Sequence, residues 1–337
     1  MTSATGLTRR TFLGALAAAP LAAAPPTGAQ ASTAAGQSSD VLLGFMFDRG
    51  RFRRIDLPGS GNQTVLAGIT NAGQIVGKAP RVNGVGFDGL VGDVRRLRRF
   101  SFPGVMATYA NKANQRGQVA GSANRNTPMV GFPGTFGYLL DRGRFTRIAF
   151  RSAVYTQALG LNNQGQVVGE YLGDDGRYHG YRWERGRFTT FDGPIGSDTS
   201  ITDINDRGDM VGVYVVDGGV RAFLLRRGEY TTFGALGLPI TFAWDINNRG
   251  QVAGSADDGA GGGHGFLFAD RVDGPVAQID VPGAPATNVF GLDDRGRLVG
   301  ISINPNATQS ARPTVQAAPM RLGDALPLGL TSTKEIR

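Results

Sequence analysis

The chain has 337 residues, 41% of them hydrophobic, with 52 glycines, no cysteine and a formal charge of +8. Without cysteine there is no disulfide framework, thiol nucleophile or lipid-anchoring Cys, so stability must rest on burial alone. The positive excess is modest; it favours solubility and at most a mild preference for anionic partners.

The N-terminal stretch "LTRRTFLGALAAAPLAAAPPTGAQA" carries Thr8-Arg9-Arg10-Thr11-Phe12-Leu13, then an Ala-rich apolar run and the small-residue site Ala29-Gln30-Ala31. This is the pattern of a twin-arginine export signal over residues 1–31, which places the mature protein in the periplasm or outside the cell. The apolar run is interrupted by Pro20, Pro25 and Pro26 and falls short of the ~20 residues that a spanning helix needs, so no membrane span is expected. Residues 32–41 read as a flexible lead-in. Removing the signal leaves 33 basic against 27 acidic residues, a net of +6. That balance and the exported address argue against nucleic acid as a partner.

Beyond it the chain repeats itself. "GITNAGQIVG" (68–77) returns as "KANQRGQVAG" (112–121), "GLNNQGQVVG" (160–169), "DINDRGDMVG" (203–212), "DINNRGQVAG" (245–254) and "GLDDRGRLVG" (291–300), with the turn glycines 44, 48, 43, 42 and 46 residues apart. A second segment alternates with it: "GFMFDRGRFRRIDLPG" (44–59), "GYLLDRGRFTRIAF" (137–150), "HGYRWERGRFTTFDGP" (179–194) and "AFLLRRGEYTTFGA" (222–235). Each unit therefore reads as four short strands, A to D, rich in Val, Ile, Phe, Tyr and Thr, with Gly and Asx turns between them and no helical periodicity. Four antiparallel strands per 42–48 residues predict an all-β fold, a six-bladed β-propeller over residues 42–304. The chain starts with strands C and D (Leu43 to Leu57) and the last unit ends with A and B (Thr287 to Ile303), so pairing the two ends completes a blade and closes the ring. Residues 305–337 hold four prolines and no turn motif; they read as an irregular tail, a strand or lid on one face being the expected outcome and a seventh blade the alternative.

The units resemble the HAF repeat of bacterial extracellular proteins, whose pattern runs roughly His-Gly-Phe, a Gly-x-Phe strand, an Asp-Pro-Gly-like turn, then Gly-Ile-Asn-Asn-x-Gly-Gln-Val-Val-Gly. The match is seen in "HGYRWERGRFTTFDGP", "HGFLF" (264–268), "IDVPGAPATNVFGLDDRGRLVG" (279–300) and "GLNNQGQVVG". It departs at Lys112-Ala113, which stand for Gly-Ile, and around Ala269 to Gly274, where the Arg-Gly turn is missing. The resemblance implies a secreted repeat protein; it brings no activity, substrate or catalytic residue.

"DINDRGDMVG" also looks like a calcium loop, with Asp203, Asn205 and Asp209 as alternating oxygen donors, and it contains Arg207-Gly208-Asp209. The other copies carry Gly68, Lys112, Gly160, Asp245 and Gly291 at the Asp203 position. A module that dispenses with its first carboxylate is not a general metal loop, so a hairpin turn is expected, with no metal and no cofactor. A threonine precedes this position by four residues in every unit (Thr64, Thr108, Thr156, Thr199, Thr241, Thr287). What every unit shares serves the scaffold: a hydroxyl satisfying backbone where the inner strand starts.

Function breaks the symmetry, so the outliers of the innermost strands are the candidates: Tyr109, Lys112, Gln157, Trp244 and Asn288 for ligand binding, and Asp203 with Asp245 as a carboxylate pair for glycoside chemistry or a hydrated cation. The competing reading is that they fill or solvate the channel. Ser-His-Asp, His-Glu-x-x-His and phosphate-loop motifs are absent, and the only histidines, His179 and His264, share one repeat position and read as structural or exposed. "RFRR" (51–54) and "RRLRR" (95–99) put Arg51, Arg53, Arg54, Arg96, Arg98 and Arg99 on outermost strands. That basic rim either meets anionic glycans or keeps sheet edges from pairing with other chains. The expectation is a monomeric binding or interaction module for a glycan or anionic cell-surface polymer; a saccharide hydrolase or lyase using Asp203 and Asp245, and a purely structural surface protein, are the alternatives.

Overall fold

A computed structural model describes residues 41–304 except 62, 152, 217, 218, 260 and 261. The twin-arginine segment, most of the lead-in and the tail 305–337 lie outside the described residues. Among the described residues there is no helix, and therefore none long and apolar enough to cross a membrane.

The strands come in fours. The described residues open with β1 (Val41–Asp48) and β2 (Arg51–Arg54), followed by β3 (Val65–Ile69), β4 (Ile75–Pro80), β5 (Phe87–Gly92) and β6 (Leu97–Phe100). Next come β7 (Ala107–Ala113), β8 (Val119–Asn124), β9 (Thr135–Asp141) and β10 (Arg144–Ile148), then β11 (Thr156–Leu161), β12 (Val167–Leu172), β13 (Tyr178–Glu184) and β14 (Arg187–Phe191). The last are β15 (Thr199–Ile204), β16 (Met210–Val216), β17 (Gly219–Arg226), β18 (Glu229–Phe233), β19 (Ile240–Ile246), β20 (Val252–Asp257), β21 (Gly263–Phe268), β22 (Val276–Ile279), β23 (Ala286–Leu292) and β24 (Leu298–Asn304). Consecutive strands pair antiparallel into four-stranded sheets. The sheets β3–β6 and β7–β10 are joined into one of eight strands by the single parallel pair Phe87↔Ala107, a fusion that the separate repeats did not predict. One sheet has the order β2-β1-β24-β23, so the two ends of the described chain share a sheet, with Leu43↔Ser302 and Phe47↔Leu298 in register.

The turn chemistry follows the repeat. In "DINDRGDMVG" the Asn205 amide donates to the Asp209 carbonyl (3.0 Å) and the Gly208 amide to the Asn205 carbonyl (3.1 Å), with Gly208 at φ 81°. This is a three-residue hairpin loop that needs a left-handed residue before the strand resumes, where a side chain would be strained. The turns between β1 and β2, β9 and β10, β13 and β14, and β17 and β18 are tighter. Their central pairs, Arg49-Gly50, Arg142-Gly143, Arg185-Gly186 and Arg227-Gly228, all have positive φ, the two-residue geometry whose twist matches that of the strands.

Each of the six inner strands β3, β7, β11, β15, β19 and β23 carries a bulge at the same place, falling on Ala67, Asn111, Leu159, Thr202, Trp244 and Phe290. The bulge explains the closing glycine of the motif: a Cβ on Gly169 would overlap the Gln157 carbonyl oxygen, and the same obstruction recurs at Gly77, Gly121, Gly212, Gly254 and Gly300. The shared threonines do what was expected of them. Thr199 Oγ1 accepts the Gly193 amide at 2.7 Å, and Thr64, Thr108, Thr156, Thr241 and Thr287 likewise each accept an amide six or seven residues upstream.

The core lies between sheets. Val211, Leu224 and Phe233 of one pack against Ala243, Val252 and Phe266 of the next, while Val299 of β24 packs with Leu66, Ile69 and Ile75 at the other end of the chain. Fully burying such aliphatic and aromatic groups contributes roughly 1.5–3 kcal/mol each, which is what a cysteine-free chain has to rely on.

Candidate functional site

The bulges aim six side chains at a common cavity of about 90 Å³, which all six inner strands line. Beyond it, at the turn end of the same strands, lies a second and polar cavity lined by the Asx residues of the hairpin turns. Lys112 lines both and separates them.

At the position just after the bulge stand Gly68, Lys112, Gly160, Asp203, Asp245 and Gly291. The glycines make the crowding bearable: a Cβ on Gly160 would lie 2.6 Å from Asp203 Cα, and one on Gly291 2.8 Å from Gly68 Cα. Into the space left, Lys112 Nζ reaches 2.8 Å from Asp203 Oδ2 and 2.5 Å from Asp245 Oδ2. The same carboxylate oxygens accept backbone amides of the following sheets, Ile246 N to Asp203 at 3.1 Å and Leu292 N to Asp245 at 2.8 Å. Burial pushes the Asp245 carboxyl well above the ordinary range, Lys112 opposing this and Asp203 adding to it. Burial also disfavours the Lys112 ammonium, but Asp203 and Asp245 together hold it above the usual lysine range. The predicted carboxylate pair does come together, around a cation supplied by the chain itself.

The calcium pattern dissolves into separate partners. Asp203 serves Lys112; Asn205 Oδ1 accepts the amides of Arg207 and Asp209; Asp209 Oδ2 pairs with Arg207 at 3.2 Å and Arg226 at 3.3 Å. Around the polar cavity the second Asx of each turn binds the next turn. Asn163 N donates to Asp206 Oδ1, Asp206 N to Asn248 Oδ1, Asn248 N to Asp294 Oδ1, and Asp294 N to Asn71 Oδ1, at 2.7 to 2.8 Å. Gln115 N continues the series to Asn163 Oδ1 at 2.8 Å.

In the first cavity the sequence candidates Tyr109, Gln157 and Trp244 line the wall together with Phe290, whereas Asn288 is half-buried and does not reach it. Trp244 stacks on Phe242 (5.4 Å, 9°) and meets Phe290 edge-on (5.6 Å, 76°). Its Nε1, and the Oε1 of Gln157, are buried without a hydrogen-bond partner. The basic rim divides: Arg51, Arg53, Arg96 and Arg98 are exposed, while Arg54 pairs with Asp56 and Arg99 with Asp88. His179 lies between Asp192 (2.6 Å) and Asp175 (3.1 Å), and His264 against Asp280 (2.8 Å), away from both channel cavities.

Two ionisable residues escaped the sequence reading, which compared only the innermost strands. The residue after the closing glycine is Lys78, Ser122, Glu170, Val213, Ser255 and Ile301 in the successive units; aligning that column would have shown both. Glu170 is fully buried, accepts the Tyr155 hydroxyl at 2.6 Å, and burial pushes its carboxyl up to about 7. Lys78 lines the first cavity, its Nζ 3.8 Å from the Tyr109 ring centroid, and burial pulls its ammonium down to about 7.

No family model matches the chain, and no curated protein matches its sequence. Solved structures do. A TolB protein from Agrobacterium tumefaciens superimposes with a TM-score of 0.56 at 13% identity, over 79% of this chain and 99% of that one. TolB from Acinetobacter baumannii gives 0.50 at 13% identity, over 79% and 65%. The β-propeller domain of the Trilobed protease from Pyrococcus furiosus gives 0.43 at 10% identity, over 70% and 84%. The fold is thereby defined as an all-β propeller of four-stranded antiparallel sheets. At these identities the likeness extends to the fold alone.

Proposed function

We propose that this chain is an exported, monomeric six-bladed β-propeller of HAF-type repeats, closed by the pairing of β1 with β24, and that it is a binding module whose channel cavity takes a saccharide unit of a cell-surface component. Closure is supported by the bonds from the last turn to the first, Asp294 N to Asn71 and Arg297 to the Thr70 carbonyl. Export is supported by the Arg9-Arg10 signal pattern.

The observation that carries the binding reading is the division of labour in the channel. The carboxylates that hydrolysis would use are held by Lys112 and backbone amides. The cavity beside them offers the aromatic side chains Tyr109, Trp244 and Phe290, with unpaired polar atoms on Gln157 and Trp244. Apolar walls with a few convergent polar groups suit a pyranose, which has an apolar C–H face and a polar edge. The hydrolase alternative would require Lys112 to release both carboxylates before either could act as acid or nucleophile.

A glycan array and calorimetry on the purified chain, at low and physiological salt, test this reading. Salt-resistant binding to a defined saccharide that Trp244→Ala abolishes and Asp203→Asn leaves in place is the expected result. Binding that vanishes with salt would move the site to the Arg51, Arg53, Arg96 and Arg98 rim.

A further inference from the structure

The chain has only three lysines, Lys78, Lys112 and Lys334, among 35 basic residues. Two of the three line the channel cavity, and their surroundings are opposite. Lys112 is clamped by two carboxylates, an ammonium held charged. Lys78 stands on β4, half-buried, its Nζ 3.8 Å from the Tyr109 ring centroid and 5.9 Å from that of Phe87, and no carboxylate pairs with it among the described residues. Tyr109 and Lys112 are the other titratable groups on that cavity. Burial pushes the Tyr109 phenol up to about 12, so it stays neutral and adds no charge that would hold a proton on Lys78.

We propose that Lys78 is a nucleophilic amine that condenses reversibly with a small aldehyde admitted to the channel cavity. The Nζ lone pair attacks the carbonyl carbon, a C–N bond forms, and the C=O π pair moves to oxygen. The two hydrogens of the amine pass to that oxygen through solvent, it leaves as water, and an imine remains; nothing is oxidised or reduced. Three observations meet here. An amine with no counter-ion in an apolar wall is the setting that frees a lysine lone pair near neutrality. The Tyr109 π face opposes this only by the modest amount that a ring offers a cation. The cavity, about 90 Å³, gives a small carbonyl compound room beside the Lys78 amine. In a chain that otherwise uses arginine for positive charge, lysine stands where an arginine, charged at any accessible pH, could not do this chemistry. The inference needs only that the cavity admits a small carbonyl compound, so it stands apart from the saccharide reading of the same cavity.

The test is reductive trapping on the full chain. Glycolaldehyde and cyanoborohydride are added between pH 6 and 10, adducts at the three lysines are read by peptide mass spectrometry, and each rate is divided by that of Nα-acetyl-lysine. Lys78 is expected to be labelled at least ~10-fold faster than Lys112 and Lys334 at pH 7, its normalised rate falling about tenfold per pH unit once its own titration is complete. Lys78→Arg should lose that adduct alone. Labelling of Lys78 no faster than of Lys334, or a normalised rate flat from pH 7 to 10, would overturn the proposal, and the pH profile on the unaltered chain decides it even if the variant folds poorly. The Trp244→Ala binding experiment reports separately on the saccharide reading, so either can fail without the other.

Discussion

Lys112 on β7 closes an ion pair with Asp245 on β19, 2.5 Å apart and 133 residues later in the chain. With Asp203 the group joins three sheets through one ammonium.

Lys112→Met leaves two buried carboxyls facing each other without a cation. Breaking a buried pair in this way costs about 3–5 kcal/mol. The loss should be largest near pH 7 and shrink toward pH 4. Asp245 is already held well above the ordinary carboxylate range, so its neutral form is favoured in the fold and acid supplies the missing neutralisation. Urea unfolding at the two pH values measures it; an equal loss at both would count against the charge argument.

Glu170 gives the native protein a pH dependence of opposite sense to that of a salt-bridged acid. Its carboxyl is pushed from 4.5 up to about 7 by burial, the Tyr155 hydroxyl opposing. The folded chain therefore keeps a proton that the unfolded chain releases, and stability declines as pH rises from about 4.5 to about 7, by roughly 3 kcal/mol in all. Glu170→Gln should remove that slope and leave the variant the more stable of the two at pH 8, which paired unfolding curves at pH 5 and pH 8 will read.

Thr199→Val keeps the shape of the residue and removes the acceptor of the Gly193 amide, a bond of 2.7 Å between buried groups. An orphaned buried amide costs about 1–3 kcal/mol. The same substitution at Thr156, which accepts the Phe150 amide at 3.1 Å, should cost a similar amount, because the bond belongs to the repeat and not to one sheet. Denaturant midpoints of the two single variants check this.

Gly160→Ala places a methyl group 2.6 Å from Asp203 Cα and 2.7 Å from its Oδ1. Part of the obstacle is the Asp203 backbone, which cannot swing aside, and part is its carboxylate, so overpacking of about 1–3 kcal/mol is expected. Because the intrusion is against Asp203, combining it with Asp203→Ala should recover part of the loss, and a thermal-melt double-mutant cycle measures the coupling.

Much of this was legible in the residues. The recurring "NNQGQVVG"-type stretch predicted the hairpins, its glycine the left-handed turn now seen at Gly208, and Thr64 and its five equivalents the amides they accept. These features are local: a turn, a strand and an amide six residues away are decided by the side chains and dihedrals of one unit, and six copies let each unit be checked against the others. The pairing of β1 with β24 was also readable, because two half-units that lack a partner must find each other. The tertiary structure alone decided the bulges: a bulge is a mismatch of register between two strands, and the closing glycine that faces each one marks a close backbone approach without saying that a bulge causes it. It alone decided that Lys112 would meet Asp203 and Asp245, 91 and 133 residues away, that Asn288 would miss the cavity, and that Lys78 would line it without a carboxylate. Distances between sheets are set by how the sheets pack around a common centre, and that packing brings together residues no periodicity in the chain relates.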